Sequence, residues 1–130
     1  MVERYIVAHS IEYPMGGSSH SGEVHISRGD IVSIYHDQTY KRAGEWYVPV
    51  EANQRSFNMN TDDLKHFCTQ HVLLSEMDIE LQLNVLHFQI DKALDLADKK
   101  KFNDVARQWI EMKKFGRKLS DVKKTEKVSL

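Results

Sequence analysis

Hydrophobic positions along the chain change their spacing near residue 75. Before it they come in short runs that alternate with polar residues; after it they recur every three or four positions. Arg4 to His9, rich in β-branched and aromatic side chains, reads as a strand that extends towards Tyr13. Glu23 to Ser27 alternates, Arg28-Gly29-Asp30 turns the chain, and in Ile31 to Tyr35 the pair Val32 and Ile34 shares one side. Glu45 to Val50 is a further strand, in which Pro49 lacks a ladder donor and points to an edge or a strand end. After a turn at 51–54, Arg55 to Asn60 alternates again, and Thr61 caps a helical turn at 61–67. The stretch 36–44 reads as a polar loop, and Met15 to Gly22 as a mobile Gly/Ser loop without the Lys-Ser/Thr ending of a phosphate cradle. Short strands of this kind leave exposed edges unless the sheet closes, so a small antiparallel β-barrel is expected over residues 1–71.

The second pattern predicts two helices. One starts after Ser75 and runs to about Asp98, with Ile79, Leu83, Leu86, Ile90, Ala93/Leu94 and Ala97 as one apolar face. The other, about 102–119, turns Phe102, Val105, Ala106, Trp109, Ile110 and Met112 the same way, and Gly116 weakens its end. A polar corner between them makes an antiparallel helical hairpin over 72–119. Leu81, Val85 and Phe88 fall outside the shared face and need another cover, from the barrel or from a partner. The fold class expected is α+β, with a disordered basic tail at 120–130.

Charge sharpens this division. Residues 1–98 carry 7 Lys/Arg against 15 Asp/Glu, whereas 99–130 carry 11 against 4. The basic end, with Arg107, Lys113, Lys114, Arg117 and Lys118 on the second helix and Lys123, Lys124 and Lys127 beyond it, can meet nucleic acid, an acidic protein surface or its own acidic half. Neither a helix-turn-helix nor an aromatic stacking set accompanies it, so base readout is not expected. No apolar run approaches a membrane span and the N-terminus lacks a signal pattern, which points to the cytoplasm. Cys68 is the single cysteine and excludes an internal disulfide.

Candidate chemistry is sparse. His66, Cys68 and His71, with Asp62 and Asp63 upstream, are the densest set of potential metal ligands, but no second cysteine pair completes a zinc site. Cys68 beside a histidine has no orienting third group for thiol catalysis. Neither a metal nor a cofactor is expected. Asp91, Asp95 and Asp98 form an acidic ridge at spacings of four and three; capping of the second helix by Asp95 or Asp98 explains it more simply than magnesium or acid–base chemistry.

Two resemblances add to this reading. Ile90, Asp91, Ala93, Leu94, Asp95, Asp98 and Phe102 fit the pattern Ile-Asp-x-Ala-Leu-Asp-x-x-Asp-x-x-x-Phe, so segment 89–106 resembles the IDEAL domain of small proteins from low-GC Gram-positive bacteria. The order of strands, with Gly29-Asp30 before an apolar strand and Trp46 after the second loop, resembles the Src-homology-3-like barrel. That resemblance implies an aromatic peptide groove at Tyr13 and Trp46, although Asn58 stands where a proline is usual and Thr61 or Asp62 where a tyrosine is usual. Together these features imply a non-enzymatic protein-binding regulator or adaptor, or a bacteriophage inhibitor of a host protein. Its partner surface would be Leu81, Val85 and Phe88 together with the cations of the second helix. Nonspecific nucleic-acid binding through the basic end is the alternative, and a second copy of the chain is a further candidate partner.

Overall fold

The computed structural model describes residues 2–14 and 22–128. The chain divides into two units, Met1–Ser75 and Glu76–Leu130. The class is α+β: open antiparallel sheets come first and the long helices follow.

The first unit holds β1 (Glu3–Val7), β2 (Ile11–Pro14), β3 (Glu23–Ile26), β4 (Ile31–Ile34), β5 (Tyr40–Arg42), β6 (Glu45–Ala52), β7 (Arg55–Asn60), α1 (Thr61–Thr69) and β8 (Leu73–Leu74). β6 is the centre of the larger sheet. It pairs with β7 along one side and with β5 and then β4 along the other; β4 pairs with β1 and β1 with β8. β2 and β3 form a separate hairpin. Among the described residues no ladder joins the ends of the larger sheet, so it is open where a closed barrel is expected.

The alternation seen in the sequence sets what is buried. Ile11 and Tyr13 of β2, Val24 and Ile26 of β3, Val32 and Ile34 of β4, and Phe57 and Met59 of β7 all enter one core, to which the β2–β3 hairpin contributes despite its separate ladder. Each such burial stabilises by roughly 1.5–3 kcal/mol.

Several further expectations are corrected in this unit. The run towards Tyr13 is not an extension of β1: residues 8–10 break it, and β2 pairs with β3 instead. The polar loop 36–44 contains a single turn of 3-10 helix at His36–Gln38 and then β5, whose partner is the start of β6 through a two-residue turn at Ala43 and Gly44, both at positive φ. Pro49 lies in the middle of β6 rather than at an edge. Its carbonyl accepts from the Tyr35 amide (3.1 Å), so its missing N–H would point to that same side, in the gap where the partner changes from β5 to β4. Val72 to Leu74 does not open the helical half. Leu73 and Leu74 pair with Val7 and Ile6 as β8.

The cap of α1 is Asn60, one residue before Thr61; its side chain accepts from the Asp62 amide (2.8 Å). The expected loop at 15–22 falls almost wholly on residues 15–21, outside the described ones.

The second unit holds α2 (Glu76–Asp95) and α3 (Lys99–Val128), which pack on each other. α3 runs well past Gly116 and Leu119, through most of the segment expected to be a disordered tail. Gly116 does not end the helix. It brings the α3 backbone close to α2, since a Cβ there would lie 3.3 Å from Ile79 Cγ2. No helix among the described residues is long and apolar enough to cross a membrane.

Candidate functional site

α2 has two apolar faces, and only one of them is used inside the described structure. Ile79, Leu86 and Ala93, seven residues apart, are its buried positions. Met77, Leu81, Val85 and Phe88, spaced four, four and three apart, follow one another along the opposite side, and Leu96 just past the helix end continues the line. These five side chains are between 53% and 70% exposed. Single exposed apolar residues are ordinary on protein surfaces; a row of four along one helix with a fifth just beyond its end is not.

The corner at the end of α2 is built by the backbone. The Asp98 amide donates to the Ala93 carbonyl (2.9 Å) and the Ala97 amide to that of Leu94 (3.1 Å), with Ala97 at φ +53°. This is a Schellman ending with alanine where glycine is usual. Asp98 then caps α3, its Oδ1 accepting from the Lys101 amide (3.1 Å). The ridge carboxylate at 98 is therefore structural. Asp91 lies 3.5 Å from His87 Nε2 one turn earlier. Beside the corner, Val85, Phe88, Ala93 and Leu96, with Lys92 and Lys101, line a groove of about 360 Å³.

Arg107, Lys113, Lys114, Arg117 and Lys118 are all exposed on α3, and Lys113 Nζ stands 5.0 Å from the centre of the half-buried Trp109 ring. Leu94 and Ile110, expected on the shared helix face, are instead more than half exposed. Met77 and Leu96 complete the outer row without having been singled out from the sequence. Continuing the spacing of Leu81, Val85 and Phe88 in both directions would have found them.

The proposed peptide groove does not assemble. Tyr13 is only 9% exposed and belongs to the core; its hydroxyl donates to Asp63 Oδ2 (2.6 Å) and accepts from the Asn60 amide (3.0 Å). Burial first, and the bond to Asp63 next, push its pKa up to about 12, with the Asn60 amide pulling the other way. Trp46 is half exposed beneath Lys41, whose Nζ is 5.9 Å from the ring centre, and so Tyr13 and Trp46 do not share an exposed groove.

His71, a candidate metal ligand and base, is the left-handed residue that ends α1 (φ +58°): its amide donates to the Cys68 carbonyl (3.2 Å), and the Val72 amide donates to that of Phe67 (2.9 Å). His66 lies against Phe67, and Cys68 packs partly against the core. Among the described residues no three His, Cys, Asp or Glu side chains gather where they could hold a metal ion. No protein-family model, no curated protein and no solved structure matches the chain.

Proposed function

We propose that this chain is a non-enzymatic protein-interaction module acting in the cytoplasm, a regulator or adaptor of the kind that a bacterium, or a bacteriophage inhibiting a host protein, uses to occupy another protein's surface. The observation that carries the reading is the outer row of α2, where Leu81, Val85 and Phe88 stand in water among polar neighbours. Isolated in solvent, such a row leaves several kcal/mol of hydrophobic stabilisation unused, at about 25 cal/mol per Å² of apolar surface. Docking is where that energy is recovered. Arg107, Lys113, Lys114, Arg117 and Lys118 steer the approach of a partner that carries negative charge elsewhere on its surface.

The finer architecture proposed with this function is a Src-homology-3-like barrel followed by an antiparallel, IDEAL-like helical hairpin. The barrel half is supported by the common core of the β2–β3 hairpin and the larger sheet. The hairpin half is supported by Gly116, past the middle of α3, standing against Ile79, early in α2, while a short corner joins the end of α2 to the start of α3. Nonspecific nucleic-acid binding is a second reading, favoured by the exposed cations of α3.

Capture from a Gram-positive lysate with the full chain as bait separates the two. A stoichiometric protein partner that survives nuclease treatment and is lost in Phe88→Glu, while the circular-dichroism spectrum and melting temperature stay unchanged, is the expected result. Capture that disappears with nuclease and is indifferent to Phe88 would support nucleic-acid binding instead.

A further inference from the structure

We infer that the occupant of the outer row of α2 is an amphipathic helix of a partner protein whose apolar stripe is edged with lysine or arginine. This rests on the interaction reading above and goes further by naming the chemistry of the partner. The row from Met77 to Leu96 spans about 28 Å at 1.5 Å per residue, the length of a helix of five turns. From Met77 to Phe88 its side chains recur at the three- and four-residue spacing that receives another helix, and Lys92 holds the position between Phe88 and Leu96. The groove of about 360 Å³ beside Phe88 and Leu96 has room for one large apolar side chain.

Charge selects the partner. Glu80, Asn84, Asp91 and Asp95, all exposed, run along one shoulder of the row, and α2 as a whole carries five carboxylates against one lysine. An apolar helix edged with cations matches that shoulder. Lys92 stands within the row, one turn before Leu96, and lines the groove together with Lys101 and Asp98, so the basic edge of the partner faces Glu80 and Asp91 and the edge over the groove, where both signs of charge meet, is neutral.

A second copy of this chain fits poorly. Its α2 would set acid against acid, and its basic α3 has most of its apolar residues buried or half-buried, with Ile110 as the one large side chain more than half exposed among the described residues.

The test uses the full chain and fluorescein-labelled 18-residue helical peptides. One carries a leucine stripe with lysine along one edge and glutamine along the other; a second replaces the lysines with glutamate; a third replaces the leucines with serine. Fluorescence anisotropy at moderate salt is expected to show binding of the Leu/Lys peptide at least tenfold tighter than the other two. Phe88→Glu should weaken it at least tenfold, and the Glu80→Lys/Asp91→Lys double variant should turn the preference towards the Leu/Glu peptide. Circular dichroism and melting temperature of each variant establish that it is folded.

Equal binding of the Leu/Lys and Leu/Glu peptides, both lost in Phe88→Glu, would overturn the basic-partner inference and leave the interaction reading standing. Self-association that depends on Phe88, seen by sedimentation in the absence of Leu/Lys binding, would make a second copy the occupant and overturn it likewise. Binding indifferent to Phe88, or no binding with no self-association, would remove both.

Discussion

Tyr13 ties three segments together with one hydroxyl. It stands on β2, accepts from the amide of Asn60 at the end of β7, and donates to Asp63 in the first turn of α1. An unfolded tyrosine ionises near pH 10, whereas this one holds its proton up to about pH 12. A folded-state pKa raised in this way stabilises the fold fully below pH 10, and the contribution is lost as pH rises from 10 to 12. Urea unfolding followed across that window should show the wild type losing on the order of 2–3 kcal/mol relative to Tyr13→Phe, at about 1.4 kcal/mol per pKa unit. At pH 7, Tyr13→Phe should cost about 1 kcal/mol through its two lost hydrogen bonds. Equal alkaline sensitivity of the two proteins would remove this role. The sequence placed Tyr13 on a strand but could not say which face it turns inward. An aromatic flanked by a proline and a Gly/Ser stretch fits a binding surface as well as a core, and only the partners of the hydroxyl decide between them.

The ends of the elements were less legible than the elements themselves. Alternation marked Val32 and Ile34, or Phe57 and Met59, as inward pairs because strand geometry leaves no other way to hide them. The outer row of α2 was legible in part for the same reason, since Leu81, Val85 and Phe88 cannot share a face with Leu86. Leu94 and Ile110 were misplaced because a helix face is broad and the periodicity does not fix where the contact with a neighbour stops. Positive φ at Ala97 and His71 carries no sequence signal, as neither is the glycine that usually marks a left-handed ending. The corner between α2 and α3 can therefore be improved. Ala97→Gly should stabilise the helices by up to about 1 kcal/mol by relieving the left-handed alanine. Asp98→Ala should cost about 1 kcal/mol by removing the cap of α3. Thermal melts of the helical circular-dichroism signal measure both, and a shift in the same direction for the two variants would contradict this account of the corner.

For the molecule as a whole, the segregation of charge matters more than its near-zero sum. Residues 99–130 carry an excess of cations and the rest an excess of acids, so a partner meets two opposite fields separated along one chain. Fields of this kind act on the rate of encounter, while apolar contacts act on the lifetime of the complex. The Lys113→Glu/Arg117→Glu double variant should slow association with the captured partner severalfold at low salt and leave dissociation nearly unchanged, as read by surface plasmon resonance. Near 1 M salt, where the screening length falls to about 3 Å, the difference between variant and wild type should vanish while dependence on Phe88 persists. A loss of binding that is all in dissociation would make those cations contact residues. Each unit also contains one of the two tryptophans, each beneath a lysine: Trp46 under Lys41 and Trp109 under Lys113. Trp46→Phe thus leaves a protein whose indole emission comes from the helices alone, and Trp109→Phe one that reports only on the sheets. Whether the two halves melt together or in turn can be watched by eye of a fluorimeter, without cutting the chain or attaching a dye.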